Sequence, residues 1–123
     1  MLAYIALGGL VGTVARYALQ GWVQERAAGT FPLGTMVVNL LGSLALGFLL
    51  RYATGSTVIS PELRAGLAIG FCGAFTTMST FGYETLALLQ DGQVWRAGLY
   101  MGGTVLGCLA AIIVGTLLAN RLL

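Results

Sequence analysis

The chain has 123 residues, of which 58% are apolar and 8% charged, with a net charge of +2. A soluble domain carries about 25% charged residues, so this chain has too little polar surface to face water on all sides. An ordinary soluble enzyme, a disordered tail and a nucleic-acid binder are excluded, and a chain dissolved in lipid remains. There is no His, which removes histidine-based triads and metal sites. All six basic residues are Arg and they are scattered, so no polybasic surface patch forms.

A bilayer core of about 30 Å needs about 20 apolar helical residues. Four stretches meet this. The first runs from Leu2 to Trp22 and is followed by a polar connection with Gln24, Glu25, Arg26 and Gly29. Its apolar start lacks a basic flank, so no cleavable signal is expected. The second runs from Leu33 to Leu50 and ends at Arg51. A Gly/Ser/Thr-rich loop, Tyr52 to Glu62, leads into the third, with Ser60 placed to cap a helix that Pro61 begins. The third runs from Leu63 to Leu89. The Asp91-Gly92 turn separates it from the fourth, Val94 to Ala119, and Arg121 closes the chain. The expected architecture is an all-α membrane protein, with residues 1–123 forming a single domain of four transmembrane helices.

The third stretch is long for one span, and its middle is poor continuous helix. Gly70 to Gly82 holds three Gly and four hydroxyl residues in 13 positions. A helix broken at membrane depth is expected, tolerated where it is buried in protein or lines a wet cavity. The other reading is an unbroken helix whose hydroxyls bond back to its own carbonyls. Cys72 and Cys108 lie within apolar stretches and match no metal or redox spacing, so they read as small buried hydrophobes.

Arg51, Arg64 and Arg121 fall on one side of the membrane, and Arg16, Arg26 and Arg96 on the other. Orientation follows the Lys/Arg bias, which is absent here, so insertion both ways is expected. Small-xxx-small pairs at Gly8/Gly12, Gly66/Gly70, Gly98/Gly102 and Gly103/Gly107 permit close helix contact. They serve either a homodimer, antiparallel if both orientations coexist, or packing within one subunit.

Each span carries polar residues at helical spacing: Thr13, Arg16, Tyr17 and Gln20; Thr35, Asn39 and Ser43; Thr76, Thr80 and Glu84 with Ser79; Tyr100, Thr104 and Cys108. Polar groups at this depth face a bundle interior or a wet cavity. A Ser or Thr hydroxyl can instead satisfy itself locally, and Arg16 can snorkel. The set is rich in donors and poor in carboxylates, with only Glu84 inside a span. That suits an anion, whereas a cation pathway needs carboxylates or carbonyls. Phe71, Phe75 and Phe81 either fill the core or present electropositive ring edges to the anion.

Three motifs then stand together. They are Gly8-Gly9-x-x-Gly12-Thr13-x-x-Arg16-Tyr17, Gly34-Thr35-x-x-Val38-Asn39-x-x-Gly42-Ser43-x-x-x-Gly47, and Gly70-Phe71-Cys72-Gly73-x-x-Thr76-Thr77-x-Ser79-Thr80-Phe81. In order and spacing they resemble the Fluc (CrcB) family of fluoride channels. The resemblance implies a dual-topology, antiparallel homodimer in the bacterial inner membrane, with two pores that passively release cytoplasmic fluoride. It implies a structural Na+ on the dimer axis, held by the carbonyls of Gly73 and Thr76. It places Asn39 and Phe81 at the pore, Ser79, Thr80, Tyr100 and Thr104 on a polar track, Arg16 near the aqueous vestibule, and Glu84 just after the motif. In one respect the chain departs: the family's Thr-Thr-Phe-Ser-Thr-Phe reads here Thr76-Thr77-Met78-Ser79-Thr80-Phe81, so Met78 stands at the first pore phenylalanine. The competing reading is a small multidrug-type, proton-coupled exporter of lipophilic cations. That chemistry needs a membrane carboxylate, and Leu2–Trp22 has none. A purely structural membrane subunit is the third reading, against which the long third motif argues.

Overall fold

In a computed structural model, which describes residues 1–123, the chain is helical from end to end with no strand. Helix α1 spans Leu2–Arg26 and α2 Leu33–Gly55. The third span is built from pieces: α3 (Pro61–Ala65), a π-helical segment (Gly66–Cys72), α4 (Gly73–Phe75) and, after a two-residue gap, α5 (Met78–Gln90). Helix α6, Val94–Leu122, is the fourth. All four are long and apolar enough to cross a membrane.

The helices run past the ends expected from hydropathy. Helix α1 takes in Gln24, Glu25 and Arg26, where the Arg26 guanidinium lies 4.1 Å from the centre of the Trp22 ring and donates to the Trp22 carbonyl. Helix α2 continues beyond Arg51 because that side chain donates to Asn120 Oδ1 at 2.6 Å, tying α2 to the end of α6. The Thr54 hydroxyl satisfies carbonyls of the same last turn. Ser60 does cap α3, its hydroxyl accepting from the Leu63 N–H at 3.2 Å, with Pro61 at the first helical position. Gly92, at φ +76°, makes the tight α5–α6 turn.

Two close helix contacts organise the bundle. Helix α1 lies on the π segment, and α2 lies on α6. A Cβ added at Gly8 or Gly12 would run into the backbone of Gly66 or Phe71, and one at Gly66 or Gly70 would meet Tyr4 or Ile5. At the second contact, Gly47 faces the Ile112 carbonyl and Gly115 the Leu44 carbonyl. Gly103 and Gly107 face Met36 and Leu40 of α2. Three of the four small-residue pairs therefore pack within the chain, and only Gly98/Gly102 has open space beside it.

Just 21 of 123 residues are buried, and Tyr100, Val38 and Thr35 are the largest that are fully so. A chain with so small a core leaves long apolar side chains, such as Leu2 and Trp95, to be covered by lipid or by another subunit.

Replacing Gly12 by Leu should force α1 off the π segment and cost about 1–3 kcal/mol, seen as a lower midpoint in thermal unfolding of the detergent-solubilised protein. Gly21, also in α1 but with nothing within 4 Å, should accept Ala without loss.

Candidate functional site

The interruption of the third span is the chemical centre of the molecule. Thr76 and Thr77 adopt extended conformations (φ −90°, ψ 159° and φ −151°, ψ 116°), so the helix stops after Phe75 and restarts at Met78. The freed backbone groups find side-chain partners. Asn39 Oδ1 accepts the Thr77 N–H at 2.8 Å, and Asn39 Nδ2 donates to the Thr77 carbonyl at 3.1 Å. Arg16 Nε donates to the Ala74 carbonyl at 3.2 Å. The Thr77 hydroxyl accepts the Thr80 N–H, capping α5, and donates to Thr80 Oγ1 at 3.0 Å. Ser79 Oγ stands 3.5 Å from the same hydroxyl.

Three carbonyls are left over: that of Phe75, which the Ser79 N–H of an unbroken helix would serve, and those of Gly73 and Thr76. In an unbroken helix the Thr77 N–H would serve Gly73 and the Thr80 N–H would serve Thr76. Both donors are diverted, to Asn39 and to the Thr77 hydroxyl. No backbone N–H of residues 76 or 77 reaches Gly73, and none of any residue reaches Thr76. These are strong acceptors without an internal donor.

The break opens onto a groove of about 320 Å³ between α2, the third span and α6, lined by Asn39, Ser43, Thr76, Met78, Phe81 and Thr104 among others. Thr104 is 6% exposed, and its hydroxyl is the one buried side-chain polar atom in the chain without a hydrogen-bond partner. Such a group belongs beside a water or a ligand. Asn39 is buried and spends one amide proton on Thr77. Phe81 is buried, with its ring 5.1 Å from that of Tyr100. Met78 is 76% exposed on the single chain, at the open side of the groove.

A second polar cluster lies away from the break. Arg16 also donates to Gln20 Oε1 at 3.4 Å, and Gln20 Nε2 donates to Thr35 Oγ1 at 2.8 Å. The fully buried Tyr100 packs edge-on against Phe31 and donates its hydroxyl to Glu84 Oε1 at 3.0 Å. Glu84 is half-buried and faces two polar recesses, one with Gln24, Thr30 and Asp91, the other with Tyr17 and Gln20.

The expected polar stripes hold unevenly. Thr35, Asn39 and Ser43 share one inward face of α2, and Tyr100, Thr104 and Cys108 share one face of α6. The third does not form a continuous face, because the break separates Thr76 from Thr80 and Glu84. In α1, Arg16 and Gln20 turn inward while Thr13 and Tyr17 are exposed. Arg16, linked by the family pattern to a vestibule, is anchored on the break itself. Phe71 and Phe75 stack on each other at 5.4 Å.

Gln24 was not singled out from the sequence. It fixes the α1–α2 turn from both ends of its amide, donating to the Phe31 carbonyl at 3.1 Å and accepting the Gly34 N–H at 3.0 Å. Its spacing from Arg16 and Gln20, four residues each, was the available signal.

Comparison with known proteins places the chain in a family. The family model for CrcB-like protein, Camphor Resistance (CrcB), matches residues 3–116. The fluoride-specific ion channel FluC of Geobacter sulfurreducens is 46% identical over 118 residues, covering 96% of this chain and 95% of its own. That of Chlorobaculum tepidum is 47% identical over 116 residues, 94% of this chain and 91% of its own. That of Geotalea uraniireducens is 42% identical over 119 residues, 97% and 96%.

Replacing Asn39 by Ala should leave the Thr77 N–H and carbonyl without partners and destabilise the fold by about 1–3 kcal/mol for each group left unpaired. The drop in thermal midpoint should exceed that of Ser43→Ala, whose hydroxyl makes no hydrogen bond within the chain.

Proposed function

Because the chain belongs to the CrcB family, whose curated relatives are fluoride-specific ion channels, we infer that it is a fluoride-selective passive channel. It is a multi-pass protein of the bacterial inner membrane. One observation carries the chemistry of the reading: a buried donor, the Thr104 hydroxyl, stands unpartnered on a groove with no carboxylate in its lining. Fluoride is a small, hard anion that must exchange its water shell for hydrogen-bond donors. Thr104, the second amide proton of Asn39, and the hydroxyls of Ser79 and Thr80 are the donors the reading assigns to it. The Phe81 ring edge adds positive potential. Tyr100 enters as the residue that holds Glu84, since its own proton is engaged. Arg16 serves by keeping the break open and by lending its charge to the region.

The multidrug-exporter reading lacks its essential group. The only carboxylate of α1 is Glu25, exposed in the last turn and far from mid-span. In α5 the Glu84 carboxylate accepts from Tyr100.

The working unit in this reading is an antiparallel homodimer. Four spans put Arg51, Arg64 and Arg121 at one face and Arg26 and Arg96 at the other, while Arg16 is committed to the Ala74 carbonyl. Three against two is too small a bias to fix orientation. The family also implies a Na+ at the dimer axis. The residues fit such an ion: the Gly73 and Thr76 carbonyls lack regular donors, and no three of His, Cys, Asp or Glu converge to offer a charged alternative. Two antiparallel copies would supply four carbonyl oxygens, ligands suited to a hard cation. The ion's part would be structural, tying the two breaks together.

Fluoride efflux from liposomes, run beside chloride and a lipophilic cation, tests the reading; flux of the cation alone would reject it. Asn39→Asp, which swaps a donor for a second acceptor and places negative charge in the groove, should abolish most fluoride flux. Phe81→Ile keeps bulk but removes the ring quadrupole and should suppress fluoride flux strongly, whereas Met78→Phe should preserve or raise it. Full flux in Phe81→Ile would make that ring ordinary core. A tag at Leu123 should label from both sides of the membrane.

A further inference from the structure

We propose that a second groove, lying along α2, holds one acyl chain of an anionic phospholipid with the lipid phosphate at Arg51. This groove is about 430 Å³, and every residue lining it is apolar. Helix α2 forms its floor over about 12 Å, from Leu41 to Leu49. The π segment, with Leu67 and Phe71, stands on one side and α6, with Leu118, on the other. No residue of the π segment comes within 8 Å of α6 between Cα atoms, so these two walls leave a slot above α2 instead of closing on each other.

Each of the three elements carries an Arg just past the groove, toward the same membrane face. On α2, Leu44, Phe48 and Arg51 are spaced by four and three residues and share one side of the helix. On α6, Arg121 follows Leu118 by three residues, and in the third span Arg64 precedes Leu67 by three. Arg51 is central. Its Nε holds Asn120, beside Arg121, and its Nη groups make no hydrogen bond within the chain. Helix α3, which bears the exposed Arg64, packs against α2. Tyr52, stacked on Phe48 at 5.7 Å, sets an aromatic ring at the same level. The six Arg are scattered in sequence, but the fold gathers these three at one end of the bundle with a single carboxylate, Glu62. The other end has Arg26 and Arg96 with Glu25 and Asp91, and Arg16 and Glu84 lie between. The whole formal excess of +2 therefore stands at the end where the groove opens.

That charge selects the occupant. A second copy of the chain brings to this face either the same basic end or the opposite end, whose charges cancel, so in neither orientation does it supply an anion. An anionic phospholipid supplies in one molecule an apolar chain for the slot and a phosphate for the rim. The guanidinium fork matches phosphate oxygens, and basic pockets between membrane spans suit lipid headgroups. A zwitterionic lipid fills the slot equally well but gains less at the rim.

Native mass spectrometry of the detergent-solubilised protein, titrated with phosphatidylglycerol or with phosphatidylcholine of identical chains, tests this without reference to ion flux. The wild type should bind phosphatidylglycerol at least about tenfold more tightly than phosphatidylcholine. Arg51→Gln should cut that preference about fivefold, Arg64→Gln and Arg121→Gln should each cut it less, and Arg51→Lys should retain most of it. Arg96→Gln, at the other end, should leave it where it was; an equal loss there would mark unspecific charge attraction and overturn the site. Ala45→Phe, which fills the floor of the slot, should weaken binding of both lipids. Where that variant does not elute from gel filtration as the wild type does, Leu118→Trp takes its place. Phosphatidylglycerol should raise the thermal midpoint of the wild type more than phosphatidylcholine does, a difference that shrinks in Arg51→Gln. Equal uptake of the two lipids, or a preference that survives loss of all three Arg, would overturn the proposal. So would competition by glycerol phosphate as effective as that by lipid, the behaviour of a phosphate site with no chain in the slot. Unchanged lipid uptake in Ala45→Phe together with a broken dimer would assign the groove to a subunit contact instead.

Discussion

The pair of hydrogen bonds between the Asn39 carboxamide and the Thr77 backbone is the interaction on which the rest depends. A helix can stop inside a bilayer only if the polar groups it releases are satisfied by protein. An amide offers one donor and one acceptor in a fixed relation, matching the N–H and carbonyl of one extended residue. Asn39 thereby replaces a stretch of the helical ladder without joining the helix. Arg16 does the same for Ala74 from the other side. The break is held from two neighbouring helices, so it is a built feature and not a local failure of helix propensity.

Holding the break in this way decides which backbone atoms stay reactive. The Gly73, Phe75 and Thr76 carbonyls and the first N–H groups of α5, at Met78 and Ser79, are left over, and the nearby side chains add further donors. Groups suited to a cation and groups suited to an anion therefore stand within a few residues of one another. The same local event, two residues turned extended, frees carbonyls along the main chain and gathers hydroxyls and an amide beside them on one groove.

Much of this was legible in the sequence, for physical reasons. Four apolar stretches of membrane length announce the spans, and Gly with Thr and Ser between Gly70 and Gly82 announces the interruption. The Ser60-Pro61 start of α3 follows from capping chemistry. What was not legible depends on tertiary contact. The extension of α1 and α2 past their hydropathic ends needs Trp22 under Arg26 and Asn120 beside Arg51. The inward turn of Arg16, against its capacity to snorkel, needs the Ala74 carbonyl at the break. The unpartnered state of Thr104 is visible only once every other buried side chain is accounted for. The small-residue pairs allowed two readings, and packing within the chain took three of the four.

The π segment, Gly66–Cys72, has a bearing on how this family can tolerate length variation. A π turn carries one residue more than the α turn it replaces. Deleting a single residue there would restore regular α geometry and would look harmless by helix propensity. Because the turn itself is kept, the residues downstream would hold their faces, with Ala74 still toward Arg16 and Thr77 toward Asn39. The widened turn absorbs one residue between the glycine contact with α1 and the break without changing the phase of either. A one-residue difference in length is therefore expected to be accommodated here as well as in the connections, such as the stretch between Gly55 and Ser60.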